Sequence, residues 1–297
     1  MEAALVGAIE AGGTKFVCAV GHSPDDFEEV RFPTRSPEET ISNAIDFFKS
    51  KETDRGKIQA LGIGSFGPAD VNPQSKKYGW ITNTPKENWS NTDLGNPIRE
   101  ALSGVPMVFD TDVNAAAWGE GKWGSAQGLK NYVYITVGTG IGGGAVVNGS
   151  ILHGISHPEM GHLRIPKDHF KDPFLGSCPF HGDCLEGLAS GTAMRNRWNT
   201  DPATLPLEHE AWKLESGYLA DALYNITLTL APQRFILGGG VMEQKQLFPM
   251  IRHDLNKRIA GYIEIDDLDT FVVPPGLSSK SGVLGALALA QELITKH

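Results

Sequence analysis

The chain has 297 residues, of which 40% are hydrophobic and 21% are charged, values typical of a globular protein of about two domains with packed cores. The net charge of −9 argues against a nucleic-acid-binding surface and against a polybasic membrane patch. The acidic start and the absence of any apolar run of ~18 residues argue against a secretory signal and a membrane span.

The first 120 residues alternate between predicted strands and helices. A strand over 5–9 leads through the glycine turn 10–15 into a second strand over 16–21. The segments that follow are predicted as a helix over 36–49, a strand over 58–65, a helix over 96–102, a strand over 106–109 and a helix over 112–120.

The same alternation continues to the end of the chain and predicts an α/β protein with mixed sheets. The predicted elements are strands over 132–137 and 145–147, helices over 190–199 and 218–230, a strand over 234–237 and a helix over 282–296. Residues 70–93 and 163–184 are predicted as long loops, which in compact domains are often functional.

Two glycine turns, 10–15 and 138–144, each join an apolar strand to a second apolar strand and also contain Thr. Many hairpins contain glycine, but neither turn is a tight two-residue turn. The repetition therefore predicts two similar lobes.

Backbone N–H groups and hydroxyls in such turns can surround phosphate oxygens. The Walker A spacing is absent, and each turn leads to a strand rather than to the helix of a Rossmann fingerprint. With a third glycine run at 238–240, the turns predict a bound nucleotide; Lys15 can face either a phosphate or solvent.

A cluster of Cys and His residues lies in and beside the second long loop: His162, Cys178, His181 and Cys184. Two thiolates and two imidazoles suit a closed tetrahedral zinc site, which has no open position for a reactive water and is therefore structural. Two cysteines are too few for an iron–sulfur cluster. The alternative is a loop with reduced cysteines and surface histidines. Three cysteines, an odd number, favour thiols or ligands over disulfides and hence a cytoplasmic protein.

Acidic residues at predicted strand ends are candidates for a general base. Asp112 stands where a strand ends and a helix begins, a position that faces the active site in many α/β folds, and Asp110 is its competitor. A plain helix cap is the alternative role for Asp112. Glu159 and Glu186 flank the Cys/His cluster and can accept hydrogen bonds from sugar hydroxyls or lie at the surface.

These segments together resemble the ROK family (repressors, open reading frames and sugar kinases) over essentially the whole chain. The pattern D-x-G-G-T-K matches 10–15 with Glu10 for Asp, and the second glycine turn matches 138–142. The sugar motif G-E-x-G-H matches 158–162 with Pro158 for Gly, and the N-D motif falls on Thr111 and Asp112. The zinc motif is shortened to C-x2-H-x2-C-x-E, and the combination resembles the fructokinase branch.

The resemblance implies an α/β, actin-like, hexokinase-type ATPase fold with two ribonuclease-H-like lobes and an interlobe cleft. The lobes are expected at 1–112 and 113–281, with the C-terminal helix at 282–297 packing back on the first. The implied activity is ATP-dependent phosphorylation of a hexose, D-fructose to fructose 6-phosphate, with Mg²⁺ accompanying ATP, a structural Zn²⁺ and a homodimer.

The resemblance also assigns roles to individual positions, with Asp112 as the catalytic base. Sugar contacts are expected at Gly67, Asn83, Asn91, Thr111, Glu159, His162 and Glu186. Nucleotide contacts are expected at Gly12, Gly13, Thr14, Lys15, Gly138, Thr139, Gly140, Ala189, Pro232, Gly238, Gly239 and Gly240. Zinc ligands are expected at His162, Cys178, His181 and Cys184.

Other functions compete with this one. Relatives phosphorylate mannose, glucose or N-acetylmannosamine, so a broader hexose kinase is the main alternative, followed by a sugar sensor that does not bind DNA. A repressor of the family is expected to carry a helix-turn-helix segment of roughly 60–80 residues before the first turn, where this chain has nine. An actin-like ATPase without a small substrate does not need a metal-braced sugar site.

Overall fold

A computed structural model describes residues 4–295, which divide by their contacts into two units. The first unit comprises the chain up to Gln127, the short segment His153–His157 and the chain from Lys280 on; the second comprises Gly128–Leu152 and Pro158–Ser279. Lys296, the last residue of the predicted C-terminal helix, lies outside the described residues. Within the described residues, no helix combines the length and the apolar character that a membrane crossing requires.

The structure contains short strands and longer helices. The strands are β1 (Val6–Ala11), β2 (Lys15–Ser23), β3 (Asp26–Pro33), β4 (Leu61–Ser65), β5 (Trp80–Ile81), β6 (Thr92–Asp93), β7 (Met107–Thr111), β8 (Tyr132–Val137), β9 (Ile141–Val147), β10 (Ser150–Ile151), β11 (Arg234–Gly238) and β12 (Val272–Val273). The α-helices are α1 (Pro37–Arg55), α2 (Gly95–Ala101), α3 (Asp112–Trp123), α4 (Leu185–Ala189), α5 (Gly191–Trp198), α6 (Glu210–Leu230), α7 (Leu247–Ile259), α8 (Leu268–Phe271) and α9 (Ser281–Thr295).

The main sheet of the first unit has the strand order β3-β2-β1-β4-β7. Strands β1, β2 and β3 form an antiparallel meander, whereas β4 and β7 run parallel to β1. The carboxyl ends of β1, β4 and β7 therefore meet at one edge of the sheet, the position where α/β folds bind ligands.

The second unit repeats this arrangement with the order β10-β9-β8-β11-β12. Strands β8, β9 and β10 are antiparallel, and β11 and β12 run parallel to β8. Each unit thus consists of one meander followed by two parallel strands. The repeat predicted from the two glycine turns is confirmed.

Each unit has its own apolar core. Large buried side chains such as Phe16, Phe48 and Trp89 fill the first, and Trp212 and Phe235 belong to the second. Helix positions follow from local chemistry as well as from burial. The Ser36 side chain accepts a hydrogen bond from the N–H of Glu39 and caps α1, as serine commonly does at this position.

In the first unit, α9 packs on α3 and β4 with the backbones in contact. A Cβ atom added to Gly285 would overlap the carbonyl oxygen of Ala115, and one added to Gly62 would overlap that of Ala286. A Cβ atom added to Gly119 of α3 would likewise overlap the backbone of Gly285 in α9. Helix α3 therefore packs within the first unit, although the lobe boundary expected from the sequence falls after its first residue, Asp112.

Several elements differ from the predictions. Strand β3 and helix α7 were not predicted, β4 is shorter than predicted, and α6 begins earlier, at Glu210. The apolar residues of α7 recur at helical spacing, but Pro249 interrupts the pattern. Proline is tolerated there because it lies in the first turn of the helix, where the backbone N–H groups have no helical partner.

We expect Gly285→Ala to lower the free energy of unfolding by about 1–3 kcal/mol, because the new methyl group forces two helix backbones apart. Gly217→Ala in α6 is the matched control. Its Cβ would approach only the Arg258 guanidinium, at 3.7 Å, and alanine favours a helix over glycine by up to about 1 kcal/mol. Thermal and chemical unfolding measure both; a Gly285→Ala variant as stable as the wild type would contradict the contact.

Candidate active site

Three predicted site segments follow the three parallel strands of the first unit. The turn with Gly12 follows β1, Gly67 follows β4 and Asp112 follows β7. Since neighbouring strands are about 4.8 Å apart, Asp112 lies about 10 Å from the glycine turn along the edge. That distance is enough for a phosphoryl group and an attacking hydroxyl between the turn and the carboxylate.

The first glycine turn is fixed by hydrogen bonds. The Gly12 N–H donates to the Lys15 carbonyl at 2.9 Å, and the Thr34 hydroxyl donates to the Gly12 carbonyl at 2.6 Å. A Cβ on Gly13 would contact nothing within 4 Å, and Thr14 and Lys15 are exposed. The turn is therefore rigid yet accessible to a phosphate at Gly13.

Glu10, which replaces the aspartate of the family pattern, reaches the N-terminal end of α9. Its carboxylate accepts a hydrogen bond from the Val283 N–H, and its side chain fills the space beside Gly282. Burial raises the pKa of Glu10, and the positive charge of Lys15 opposes the rise. The longer side chain thus joins β1 to α9.

Asp110 and Asp112, the two candidate bases, have different surroundings. Asp110 is 3% exposed; one oxygen accepts from the Thr111 N–H and the Asn114 amide, both at 2.7 Å, and the other is 2.9 Å from His153 Nε2. Asp112 is half-buried at the start of α3, and one of its oxygens accepts from the Val113 N–H. The carboxylate of Asp110 is thereby held on both oxygens, and Asp112 is the more accessible of the two acids.

The cap of α3 is Thr111, not Asp112. The Thr111 hydroxyl accepts a hydrogen bond from the Asn114 N–H at 3.2 Å, and Thr111 is buried. Thr111, which is predicted as a sugar contact, therefore caps helix α3. It fills the capping role that was the alternative for Asp112.

The loop after β4 brings the other predicted sugar residues of this unit together. Gly67 precedes Pro68 through a cis peptide bond, and the Pro68 carbonyl accepts from the Thr82 N–H at 2.8 Å. The Thr82 carbonyl in turn accepts from the Asn91 N–H at 2.9 Å. Asn83, next to Thr82, and Asn91 are both exposed.

In the second unit the glycine turn after β8 is held by α4 and α5. The Gly138 carbonyl accepts from the Gly191 N–H at 2.7 Å, and the Thr139 carbonyl accepts from the Thr192 hydroxyl at 2.8 Å. Glu186 of α4 accepts from the Ile141 N–H at 3.0 Å and lies where a side chain at Gly140 would project. Glu186, predicted as a sugar contact, therefore also supports this turn.

The three glycines of the run 238–240 have different surroundings. Gly238 and Gly239 lack side chains for internal packing, because a Cβ on Gly238 would overlap Tyr134 and one on Gly239 would overlap Val137. Gly138 and Gly240, in contrast, face open space. Of these four glycines, Gly138 and Gly240 therefore have open space beside the backbone for a ligand.

Ala189 and Pro232, predicted at the nucleotide, are both buried. Ala189 is fully buried at the end of α4. Pro232 is buried before the start of β11, whereas the glycine run lies at its far end. The five residues of β11 rise about 13 Å between Pro232 and the far end of the strand, and the nucleotide contact of Pro232 stays a prediction.

The four predicted zinc ligands do come together, and their ligand atoms all lie within 4.8 Å of one another. His162 Nδ1 is 3.5 Å from Cys184 Sγ and 3.7 Å from Cys178 Sγ, and His181 Nδ1 is 3.7 Å from Cys178 Sγ. A tetrahedron with Zn–S bonds of about 2.3 Å and Zn–N bonds of about 2.0 Å puts N and S about 3.5 Å apart. The donor set fits zinc.

The backbone around the cluster forms a tight knuckle. Cys178 and Gly182 exchange two N–H···O hydrogen bonds, and Gly182 adopts a φ of 64° that favours glycine. Burial raises the pKa of the Cys184 thiol to about 11. A bound cation would keep such a thiol ionised.

Glu159 connects the cluster to the sugar motif. It is exposed and directly precedes the 3₁₀ turn Met160–His162. Gly161 in this turn packs on the Ile141 carbonyl with no space for a side chain. Strand β9 therefore supports the turn that carries Glu159 and His162. Of the two ring nitrogens of His162, Nδ1 is the one that points to the thiols.

A buried ion pair that the sequence analysis missed anchors the 163–184 loop. Arg197 of α5 contacts both oxygens of Asp172, and the two side chains are 7% and 3% exposed. Arg197 also donates to the Leu188 carbonyl, and the Tyr218 hydroxyl donates to Asp172 at 2.6 Å. Burial alone would raise the pKa of Asp172, but Tyr218 and Arg197 outweigh it, so the pKa is lowered.

With this geometry established, comparison with known proteins gives the family. The model of the ROK family matches residues 6–293. The chain belongs to the ROK family. The resemblance inferred from the motifs is confirmed, and with it the actin-like fold of the family's kinases.

Among ROK relatives, the chain is 43% identical to a fructokinase of Pediococcus pentosaceus over 97% of this chain and 98% of the relative. It is 44% identical to a fructokinase of Lactococcus lactis subsp. cremoris over 98% of each. Among solved structures, it is similar to a ROK hexokinase from Thermus thermophilus, with a TM-score of 0.79, 26% identity and coverage of 99% of this chain and 100% of that one.

We expect Arg197→Ala to destabilise the protein by about 3–5 kcal/mol, because it leaves the Asp172 carboxylate buried without its cation. Hydrogen exchange should increase in 163–184. Arg164→Ala is the control: Arg164 is 71% exposed and pairs with Asp183 at the surface, a type of pair that contributes less than about 1 kcal/mol. Equal thermal midpoints for the two variants would contradict an anchoring role for the buried pair.

Proposed function

We propose that the protein is an ATP-dependent hexose kinase that converts D-fructose to fructose 6-phosphate. The observation that carries the proposal is that Asp112 and the open Gly13 turn follow two parallel strands, β7 and β1, at the same sheet edge. Strand spacing puts them about 10 Å apart. The near-full-length similarity to proteins named fructokinase supports fructose as the sugar.

We assign the terminal phosphates of ATP to Gly12, Gly13, Thr14 and Lys15 of the first unit. In the second unit, Gly138, Thr139 and Gly140 and the run Gly238–Gly240 are the proposed nucleotide contacts, with Gly138 and Gly240 offering the open backbone. Mg²⁺ supplies charge neutralisation at the phosphates when bound. Glu10 already accepts from the Val283 N–H, which fits a supporting role better than a direct one at the metal.

Phosphoryl transfer needs a group that accepts the proton of the attacking hydroxyl. Asp112 is the proposed acceptor: the sugar oxygen forms a bond to the γ-phosphorus, its proton passes to the Asp112 carboxylate, and the bond to the β-phosphate oxygen breaks to release ADP. The α3 N-terminus favours a negative charge at this position.

The Cys/His cluster has a proposed structural role in sugar binding. Zinc on His162, Cys178, His181 and Cys184 would fix the knuckle, and the carboxylates of Glu159 and Glu186 would then be ordered before the sugar arrives. A site ordered in advance binds with a smaller entropic cost.

The test of the proposed function is ADP release by the purified chain with ATP and one of four sugars: fructose, mannose, glucose or N-acetylmannosamine. We expect the highest kcat/KM with fructose. A higher kcat/KM with another hexose would show a broader or different sugar specificity. The absence of hexose-dependent ADP release would refute the kinase function.

Asp112→Asn should lower kcat by about 10²–10⁴-fold while ATP still binds, because general-base catalysis contributes about that factor. Steady-state kinetics and ATP titration measure the two effects. The assignment is wrong if Asp112→Asn keeps near-normal turnover and Asp110→Asn loses it.

Removal of zinc should raise the KM for the hexose more than the KM for ATP, and should increase hydrogen exchange in 163–184. Metal analysis of the purified chain is expected to give about one zinc per chain, as a four-ligand site predicts. An apoprotein with an unchanged KM for its hexose would refute the role, as would a preparation containing iron and no zinc.

A homodimer and a cytoplasmic location stay predictions from the sequence and the family resemblance. Light scattering of the purified chain measures the first, and cell fractionation the second.

A further inference from the structure

The segment His153–His157 belongs to the first unit, although the residues on both sides of it belong to the second. Two histidines attach it to the edge of the first sheet. His153 Nε2 lies 2.9 Å from an oxygen of Asp110, the residue before the end of β7. His157 Nε2 accepts from the Ala69 N–H at 3.2 Å, and its ring packs against Gly67.

The two histidines differ in exposure. His157 is buried with 7% of its surface exposed, whereas the His153 side chain is 39% exposed. His157 is therefore a buried contact between this segment and the first sheet. The sheet edge that holds Asp112 and Gly67 also presents an accessible imidazole.

Asp110 orients that imidazole. Its other oxygen is occupied by the Thr111 N–H and the Asn114 amide, so the carboxylate cannot turn without losing two hydrogen bonds. An ionised carboxylate accepts but does not donate, and the proton of the contact is therefore on Nε2 of His153. Nδ1 points away from Asp110, and among residues 4–295 it has no hydrogen-bond partner.

We infer that His153 is a sugar-binding residue, whose Nδ1 forms a hydrogen bond with a hydroxyl of the hexose while Asp110 fixes the ring. This rests on the proposed function. A sugar contact fits better than a phosphate contact, because His153 is attached to β7, beside Asp112, whereas the phosphate turn follows β1 two strands away. The hydrogen bond with Asp110 also raises the pKa of His153.

Two substitutions in the whole chain separate a sugar contact from an anchor. The amide of His153→Gln can reach the position of Nε2 and keep a donor toward Asp110, but it has nothing at Nδ1. His153→Asn has a polar group near Nδ1 and loses the contact with Asp110. The matched control is His22→Gln, since His22 is also a partly exposed histidine beside an aspartate, Asp26, but lies near the opposite end of β2 from the glycine turn.

We expect His153→Gln to raise the KM for fructose about tenfold, the effect of losing one hydrogen bond to substrate, with an unchanged KM for ATP and an unchanged thermal midpoint. His22→Gln should change none of these. If His153 is only an anchor, His153→Gln keeps the wild-type KM and His153→Asn lowers the thermal midpoint, and that result overturns the inference.

Fructose analogues that each lack one hydroxyl provide a second test. For the analogue that lacks the contacted hydroxyl, His153→Gln should cause no further rise in KM, because both changes remove the same interaction. Independent effects for every analogue would contradict the contact. Calorimetric binding of fructose distinguishes the His153 contact from the kinase function. If the wild type binds fructose and His153→Gln weakens that binding, the contact is supported even without turnover. If the wild type does not bind fructose, the contact is refuted.

Discussion

The direct contact between the backbones of α3 and α9 determines the geometry of the first unit. Side chains usually keep helix axes 8–10 Å apart, but Gly119 and Gly285 remove them at the crossing. Helix α9 can therefore lie against α3 and the sheet together. Because α3 begins at Asp112, the position of that carboxylate depends on how the whole helix is held. At the other end of α3, Glu120 accepts a hydrogen bond from the Ser281 hydroxyl at 2.7 Å, which links the two helices a second time.

A second common feature is the use of acidic side chains as acceptors for backbone N–H groups. Glu10 accepts from Val283, Glu120 from Ser125 and Glu186 from Ile141. Each carboxylate stabilises a turn or a helix end whose N–H would otherwise lack a partner. In a sequence, supporting acids of this kind are easily mistaken for reactive groups.

The sequence predicted what depends on local chemistry. Glycine turns between apolar strands and the spacing of Cys178, His181 and Cys184 indicated the repeat and the cluster, because their partners are close in sequence. The contacts of His153 with Asp110 and of Arg197 with Asp172 join residues 43 and 25 positions apart, and no periodicity marks them. Pro232 illustrates the limit of sequence proximity: it is close to the glycine run in sequence, but the extended strand β11 lies between them.

The discontinuous first unit has a consequence for biosynthesis. Its sheet is translated before the second unit, but α9, which covers that sheet and α3, is translated after it. On the ribosome, the apolar surface around Gly62 and Ala115 therefore stays uncovered while the entire second unit is made. Domains usually fold in the order of their synthesis. Here the nascent second unit is free to fold before the first one is complete. A chain that terminated just before α9 would contain the whole second unit but would lack the helix that covers the core of the first.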